Sequence, residues 1–303
     1  MFHHILVLVN PEKDNRPAIE RALRLSIPNR TEITLLSLVY SRALDSDYLF
    51  DEKGRTKAHD AYKSQCSRKL LPIQYEVNKL GIDTHIDVRW SKHKQKDLDA
   101  IIDELHVDLV IKTVREHGTL ERLFLGHHEW QLINHCKVPL LLANPSVQYM
   151  PNPTVTVAID PVQSHDKPNT LDHDLLKMGQ ELSVQLAGQT AVFHSYDPVP
   201  PSLLTDADSV SYQDLTNTIR QRHKLAFAEF MRQHPINHEY EWLQEGDIFD
   251  ELPKALASHH SPLVVMGAIA RSKLDHWLIG STAERLLEVI GSDILILKPN
   301  ALH

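Results

Sequence analysis

The feature that most constrains this chain is an internal repeat with a nearly constant offset. Asn10-Pro11 and Asp160-Pro161 each close the first strand-like run of one half, and they lie 150 residues apart. Asp108-Leu109-Val110-Ile111 and Pro262-Leu263-Val264-Val265 lie 154 apart, as do Leu140-Leu141-Leu142 and Ile294-Leu295-Ile296. An offset this steady over 303 residues means that one unit has been duplicated. The length is about twice that of a common domain, so each half can bury its own core. The join falls in residues 144–153, where Pro145, Pro151 and Pro153 with two asparagines make an extended linker. Domains are expected over 1–147 and 152–303.

Each copy alternates short β-branched runs with helical stretches. In the first half the strand-like runs are 4–9, 33–40, 85–90, 109–114 and 140–143, with helices expected over 19–26, 56–80, 98–105 and 121–134. In the second they are 155–159, 191–196, 239–243, 263–266 and 294–297, with helices over 171–186, 212–232, 248–258 and from Ser281 onward. Continuous apolar strands separated by helices predict a parallel sheet covered on both faces. The expectation is therefore an α/β protein of two tandem Rossmann-like, doubly wound domains, each with a five-stranded parallel sheet and flanking helices. Irregular segments 41–53 and 197–211 follow the second strand of each copy and suggest matching lids or dimer-facing loops. Duplicated halves commonly reproduce a dimer within one chain, so an internal pseudo-dimer is expected, and whole chains could pair further as a homodimer.

A formal charge of −8 argues against a nucleic-acid partner, because that affinity comes mainly from Lys and Arg neutralising phosphates. No apolar run approaches the roughly 20 residues of a bilayer span, so no membrane partner is expected. Residues 5–9 have no basic segment before them and read as a strand, not a signal peptide, which points to a cytoplasmic location. Cys66 and Cys136 are too far apart for a C-x-x-C pair, which excludes a disulfide framework or a four-cysteine zinc site. His127, His128, His135 and Cys136 flank one helix and His259-His260 precede a strand. With 20 histidines such neighbours arise by chance, and no metal ligand set is assigned. Trp90, Trp130, Trp242 and Trp277 read as core or interface residues.

The informative segment is Met266-Gly267-Ala268-Ile269-Ala270-Arg271, followed after nine residues from Arg271 to Ile279 by Gly280-Ser281-Thr282-Ala283-Glu284. A buried strand ends on a glycine, a loop follows, and a second glycine opens a helix. Gly267 lets backbone approach a ligand closely, and free N–H groups at the Gly280-Ser281-Thr282 helix start attract anions together with the helix dipole. Arg271 adds a cation. Ser281-x-x-Glu284 is equally a capping box, which needs no ligand.

These residues resemble the universal stress protein family, in its tandem-domain branch. Nucleotide-binding members carry G-x2-G-x9-G-[S/T] at the end of the fourth strand, and Gly267, Ala270, Gly280 and Ser281 stand at that spacing. The likeness extends over both halves and includes Asp160 after the first strand and Glu245-Gly246-Asp247 after the third. It implies a stress-response role, with ATP or ADP, and Mg with the phosphates, as the ligand. Asp160 would lie near the ribose and the metal-linked phosphates, and Ser195 beside the adenine through its backbone. Gly267, Ala270, Gly280, Ser281 and Thr282 would surround the phosphates, and Met266 and Arg271 complete the expected nucleotide-binding set. Ala270 departs from the family glycine and crowds the place where backbone meets phosphate.

The 154-residue offset places Thr113 at Gly267, Glu116 at Ala270, Gly126 at Gly280 and His127 at Ser281, and the 150-residue offset after the first strand places Asn10 at Asp160. A carboxylate about 4 Å from a phosphate charge costs about 4 kcal/mol at an effective dielectric of 20. The first copy is therefore expected to be a degenerate domain without nucleotide. No G-x4-G-K-[S/T] loop, G-x-G-x-x-G or G-x-S-x-G motif is present, and no catalytic residue can be assigned. Weak ATPase activity is the most that the loop implies. The competing reading is a scaffold or small-ligand carrier that no longer binds nucleotide.

Overall fold

The computed structural model describes residues 2–116, 123–124, 127–162, 170–199, 212–234, 240–268, 285–287 and 289–299. The chain divides into two compact units, residues 1–115 with 126–145 and residues 116–125 with 146–303. The boundary between Pro145 and Ser146 lies inside the proline-rich join.

Up to that boundary the elements are β1 (His4–Leu8), α1 (Arg16–Arg24), β2 (Glu32–Val39), α2 (Glu52–Asn78), β3 (Asp83–Trp90), α3 (Lys94–Leu105), β4 (Leu109–Thr113), β5 (Arg115–Glu116), β6 (Leu123–Phe124), α4 (His127–His135) and β7 (Leu140–Ala143). The long strands of this unit run parallel in the order β3-β2-β1-β4-β7. The two short strands β5 and β6 pair with each other. After the boundary come β8 (Thr154–Ala158), α5 (Leu171–Gln185), β9 (Gln189–Tyr196), α6 (Tyr212–Gln233), β10 (Tyr240–Glu245), α7 (Ile248–Ser258), β11 (Leu263–Gly267) and β12 (Asp293–Leu297). These strands are parallel in the order β10-β9-β8-β11-β12. Counted within its own unit, each set reads 3-2-1-4-5, so the duplication is topological as well as sequential.

The central strands carry the cores. Ile5, Leu6, Val7, Leu109, Val110 and Ile111 in the first unit, and Val155, Val157, Val264 and Val265 in the second, are fully buried. Burial on both faces is what a parallel sheet between two helix layers demands. In the second unit α5 lies so close to β8 that a Cβ on Gly179 would stand 2.2 Å from Val157 Cγ2. Only glycine fits there.

Two expectations about helices change. The long helix of the first unit starts four residues earlier than its polar pattern suggests, because the Asp51 side chain accepts the Gly54 N–H at 2.7 Å and caps it. The helix expected over 121–134 begins at His127, and Leu123–Phe124 pairs as strand with Arg115–Glu116. Gly126 just before it is a poor helix interior residue, so the apolar run on its N-terminal side is free to take extended backbone.

Candidate functional site

In each unit the first and fourth strands lie side by side while their neighbours on the far flanks follow opposite winding directions. The carboxyl ends of β8 and β11, and of β1 and β4, are therefore the places where a sheet of this type opens a ligand crevice.

In the second unit Asp160 stands two residues past the end of β8, and its backbone N–H donates to Asp172 Oδ1 at 3.3 Å. Asp172 and Asp174 stand buried in the first turn of α5, where two carboxylates complement the positive helix end. Gly267 ends β11, and the Ala268 N–H continues the ladder to the Leu297 carbonyl at 2.8 Å. Met266 is a buried core residue, 6% exposed. A Cβ on Gly267 would lie 2.8 Å from Leu171 Cδ2, so the glycine has a packing reason of its own: the first residue of α5 presses against it. Ser195 lies in β9 opposite Gln244, with its Oγ buried and without a hydrogen-bond partner among the described residues. Ala270, Arg271, Gly280, Ser281 and Thr282 lie outside the described residues. Just beyond them, Arg285 places its guanidinium 3.8 Å over the Phe249 ring.

A polar chain that the sequence reading missed runs across this end of the sheet. His194 of β9 reaches the Ile159 carbonyl with Nδ1 at 3.1 Å and His223 Nδ1 of α6 with Nε2 at 2.8 Å. The His223 ring stacks on Tyr196, with centroids 4.6 Å apart. The Tyr196 hydroxyl donates to Glu245 Oε2 at 3.1 Å, and Arg220 Nη2 donates to the same oxygen at 2.9 Å. Burial pushes the His223 imidazole below the ordinary histidine range, against the opposing pull of the Asp160 charge. Arg220 holds the Glu245 carboxyl below the usual carboxylate range. The signal that could have found this chain is His194 itself, a histidine at a core-facing position of the apolar run 191–196.

At the corresponding end of the first unit the described side chains bond to neighbouring backbone and to one another. The Thr113 hydroxyl accepts the Ala18 N–H at 3.1 Å, occupying a donor of the α1 N-terminus. The Asn10 N–H donates to Asn15 Oδ1 at 2.9 Å, while Asn15 Nδ2 donates back to the Asn10 carbonyl at 2.8 Å. Glu12 is paired with Lys69 of α2. His59 of α2 stacks on Trp90 with centroids 3.6 Å apart and hydrogen-bonds the Leu44 carbonyl at 3.1 Å, so the segment before α2 is pinned over the end of β3. Tyr40 assists by donating to Asp45 Oδ2 at 3.1 Å. Burial raises both the Tyr62 hydroxyl and the neighbouring Cys66 thiol above their ordinary ranges. The side chains of Glu116 and His127 lie outside the described residues, as does Gly126.

Among the other candidates, Cys136 donates its thiol to the Val138 carbonyl at 3.3 Å, and His259 packs on Trp242 with centroids 4.0 Å apart. Among the described residues no helix is long and apolar enough to cross a membrane.

With this geometry in view, comparison with known proteins is direct. The model of the universal stress protein family matches residues 1–144 and again 153–298. Over 99% of the chain, and 98% of the relative, it is 22% identical to the universal stress protein E homolog of Haemophilus influenzae. It is 25% identical to universal stress protein E of Escherichia coli K12, over 99% of the chain and 95% of the relative. Among solved structures, a putative universal stress protein of Pseudomonas aeruginosa UCBPP-PA14 superposes with a TM-score of 0.73 at 20% identity, covering 98% of this chain and 93% of that one. A universal stress protein of Archaeoglobus fulgidus gives 0.67 at 13% identity, covering 98% of each chain. Two matches to one family model in two units of identical strand order make the conclusion plain: the chain belongs to the universal stress protein family as a tandem pair of its domains.

Proposed function

We propose that this tandem universal stress protein acts in the stress response as a nucleotide-responsive regulator whose second unit binds ATP or ADP and whose first unit binds neither. The observation that carries the reading is the contrast at equivalent strand ends. In the second unit Gly267 ends β11 and Asp160 stands two residues past the end of β8, whereas in the first Thr113 and an Asn10–Asn15 exchange occupy the equivalent positions. Mg with the phosphates would suit the Asp160 carboxylate, a hard oxygen ligand. ATP hydrolysis, if it occurs, is slow, because no general base is assigned beside the loop. Nucleotide state would then set the contacts that the chain makes with partners or with a second copy.

The packing of Leu171 against Gly267 favours one competing reading, in which the glycine serves the fold alone and the protein is a scaffold or carrier. Isothermal calorimetry of the full chain with ATP·Mg and ADP separates the two. On the nucleotide reading Gly280→Val abolishes binding by blocking the helix terminus, and Ala270→Gly tightens it. No binding in the wild type and no gain in Ala270→Gly would establish the scaffold.

A further inference from the structure

His194 is 3% exposed, and its two ring nitrogens meet the Ile159 carbonyl at 3.1 Å and His223 Nδ1 at 2.8 Å. A carbonyl oxygen only accepts, so His194 Nδ1 carries the hydrogen. A neutral imidazole has one N–H, which leaves His194 Nε2 as an acceptor and requires His223 Nδ1 to donate to it. By the same rule neutral His223 then has its bare lone pair at Nε2. That nitrogen has no hydrogen-bond partner among the described residues. Three elements and the ring's own helix bring charged or titratable groups to it: Asp160 after β8, His194 and Tyr196 from β9, Glu245 from β10 through the Tyr196 hydroxyl, and Arg220 and Arg222 on α6. None of them needs a neutral acceptor from His223.

We propose that His223 contacts the ligand of the second unit, with the His194–Ile159 relay fixing its Nε2 as a hydrogen-bond acceptor for a donor group on that ligand. The inference rests on the nucleotide reading given above and says which part of a nucleotide the residue reads. Phosphate and keto oxygens offer no hydrogen, whereas the ribose hydroxyls and the exocyclic amino group do. Protonation of His223 turns the acceptor into a donor, so affinity falls as the ring takes up its proton in acid. Burial keeps the ring neutral near pH 7, which leaves the acceptor form in place under ordinary conditions.

Two measurements on the full chain test this. Nitrogen-15 spectra of histidine-labelled protein without ligand report the tautomer, and the relay requires the Nδ1–H form in both His194 and His223; an Nε2–H signal from His223 overturns the proposal. Calorimetry then compares ATP with ITP, which lacks the amino group, and with 2′,3′-dideoxy-ATP, which lacks the hydroxyls. The wild type should bind one of these analogues about three- to tenfold more weakly than ATP, the worth of one neutral hydrogen bond. His223→Phe should bind ATP more weakly by the same factor and lose that discrimination, and His223→Gln, whose amide oxygen accepts, should recover part of it. Unchanged affinity and discrimination in His223→Phe overturn the inference and leave the nucleotide reading standing. A wild type that binds neither ATP nor ADP overturns both.

Discussion

Replacing Gly267 with alanine tests what that glycine does. The added Cβ would stand 2.8 Å from Leu171 Cδ2, 3.4 Å from Leu171 Cγ and 3.5 Å from Leu175 Cδ1. Carbon–carbon contacts are comfortable at about 3.5–4.0 Å, so only the terminal methyl of Leu171 is truly overlapped. Leu171 is fully buried at the start of α5, and its methyl must rotate or the helix must move by tenths of an ångström. Overpacking of this kind costs about 1–3 kcal/mol. Loss of glycine freedom in the unfolded chain returns about 0.4–1 kcal/mol. The net is about 1–2 kcal/mol, and at about 2–4 °C per kcal/mol the melting temperature of the second unit should fall by about 2–8 °C. Leu171→Ala alone leaves a cavity and should cost about 2–5 kcal/mol. In the double variant the new Cβ enters the space the leucine has left, so the combined loss should be smaller than the sum by about 1 kcal/mol or more. Urea unfolding of the four proteins reads this coupling. Strictly additive losses would mean that Leu171 is not what holds position 267 to glycine.

Three further outcomes follow from named contacts. Thr113→Val keeps the shape of the side chain but leaves the Ala18 N–H without its acceptor, and should lower stability by about 0.5–2 kcal/mol in urea unfolding without creating nucleotide affinity in the first unit. His59→Ala removes both the stack on Trp90 and the bond to the Leu44 carbonyl, so proteolysis at residues 41–50 should accelerate and Trp90 emission should change, while Trp242 serves as the internal control. Because burial lowers the folded-state pKa of His223, the unfolded chain takes up that proton first as pH falls. The contribution of neutral His223 is therefore complete above an unfolded-chain value of about 6.5 and declines below it. The wild type should lose more stability than His223→Phe between neutral pH and about pH 5.5, measured by denaturant midpoint.

Much of the architecture was legible because the repeat keeps a nearly constant offset through the buried strands. Asp108–Ile111 and Pro262–Val265 form the matching starts of β4 and β11, and the 154-residue offset survives into the ends of both strands at Thr113 and Gly267. Tertiary context decided what periodicity could not. The cap from Asp51 sets the start of α2, and pairing with Arg115–Glu116 draws Leu123–Phe124 out of a helix. At the site, the sequence singled out Asp160, Met266 and Gly267, and the structure puts Gly267 at the end of β11 and Asp160 two residues past the end of its neighbour β8, with Met266 in the core. It could not foresee His223, which is one of 20 histidines and lies on a polar helix. Its contact with His194 forms only when α6 brings it there across 29 positions of sequence. The contacts at the strand ends of the first unit were half visible. Thr113 and Asn10 were read as losses of a glycine and a carboxylate, whereas in the fold both also make hydrogen bonds, Thr113 to α1 and Asn10 to Asn15.

The central claim, that a duplicated pair retains nucleotide binding in its second unit alone, is tested most directly by the stoichiometry of ATP·Mg binding to the full chain and to two single variants at equivalent positions, Gly126→Val and Gly280→Val. The account predicts one ATP per chain in the wild type, one in Gly126→Val and none in Gly280→Val. Two ATP per chain, or one that survives Gly280→Val and disappears with Gly126→Val, would contradict it.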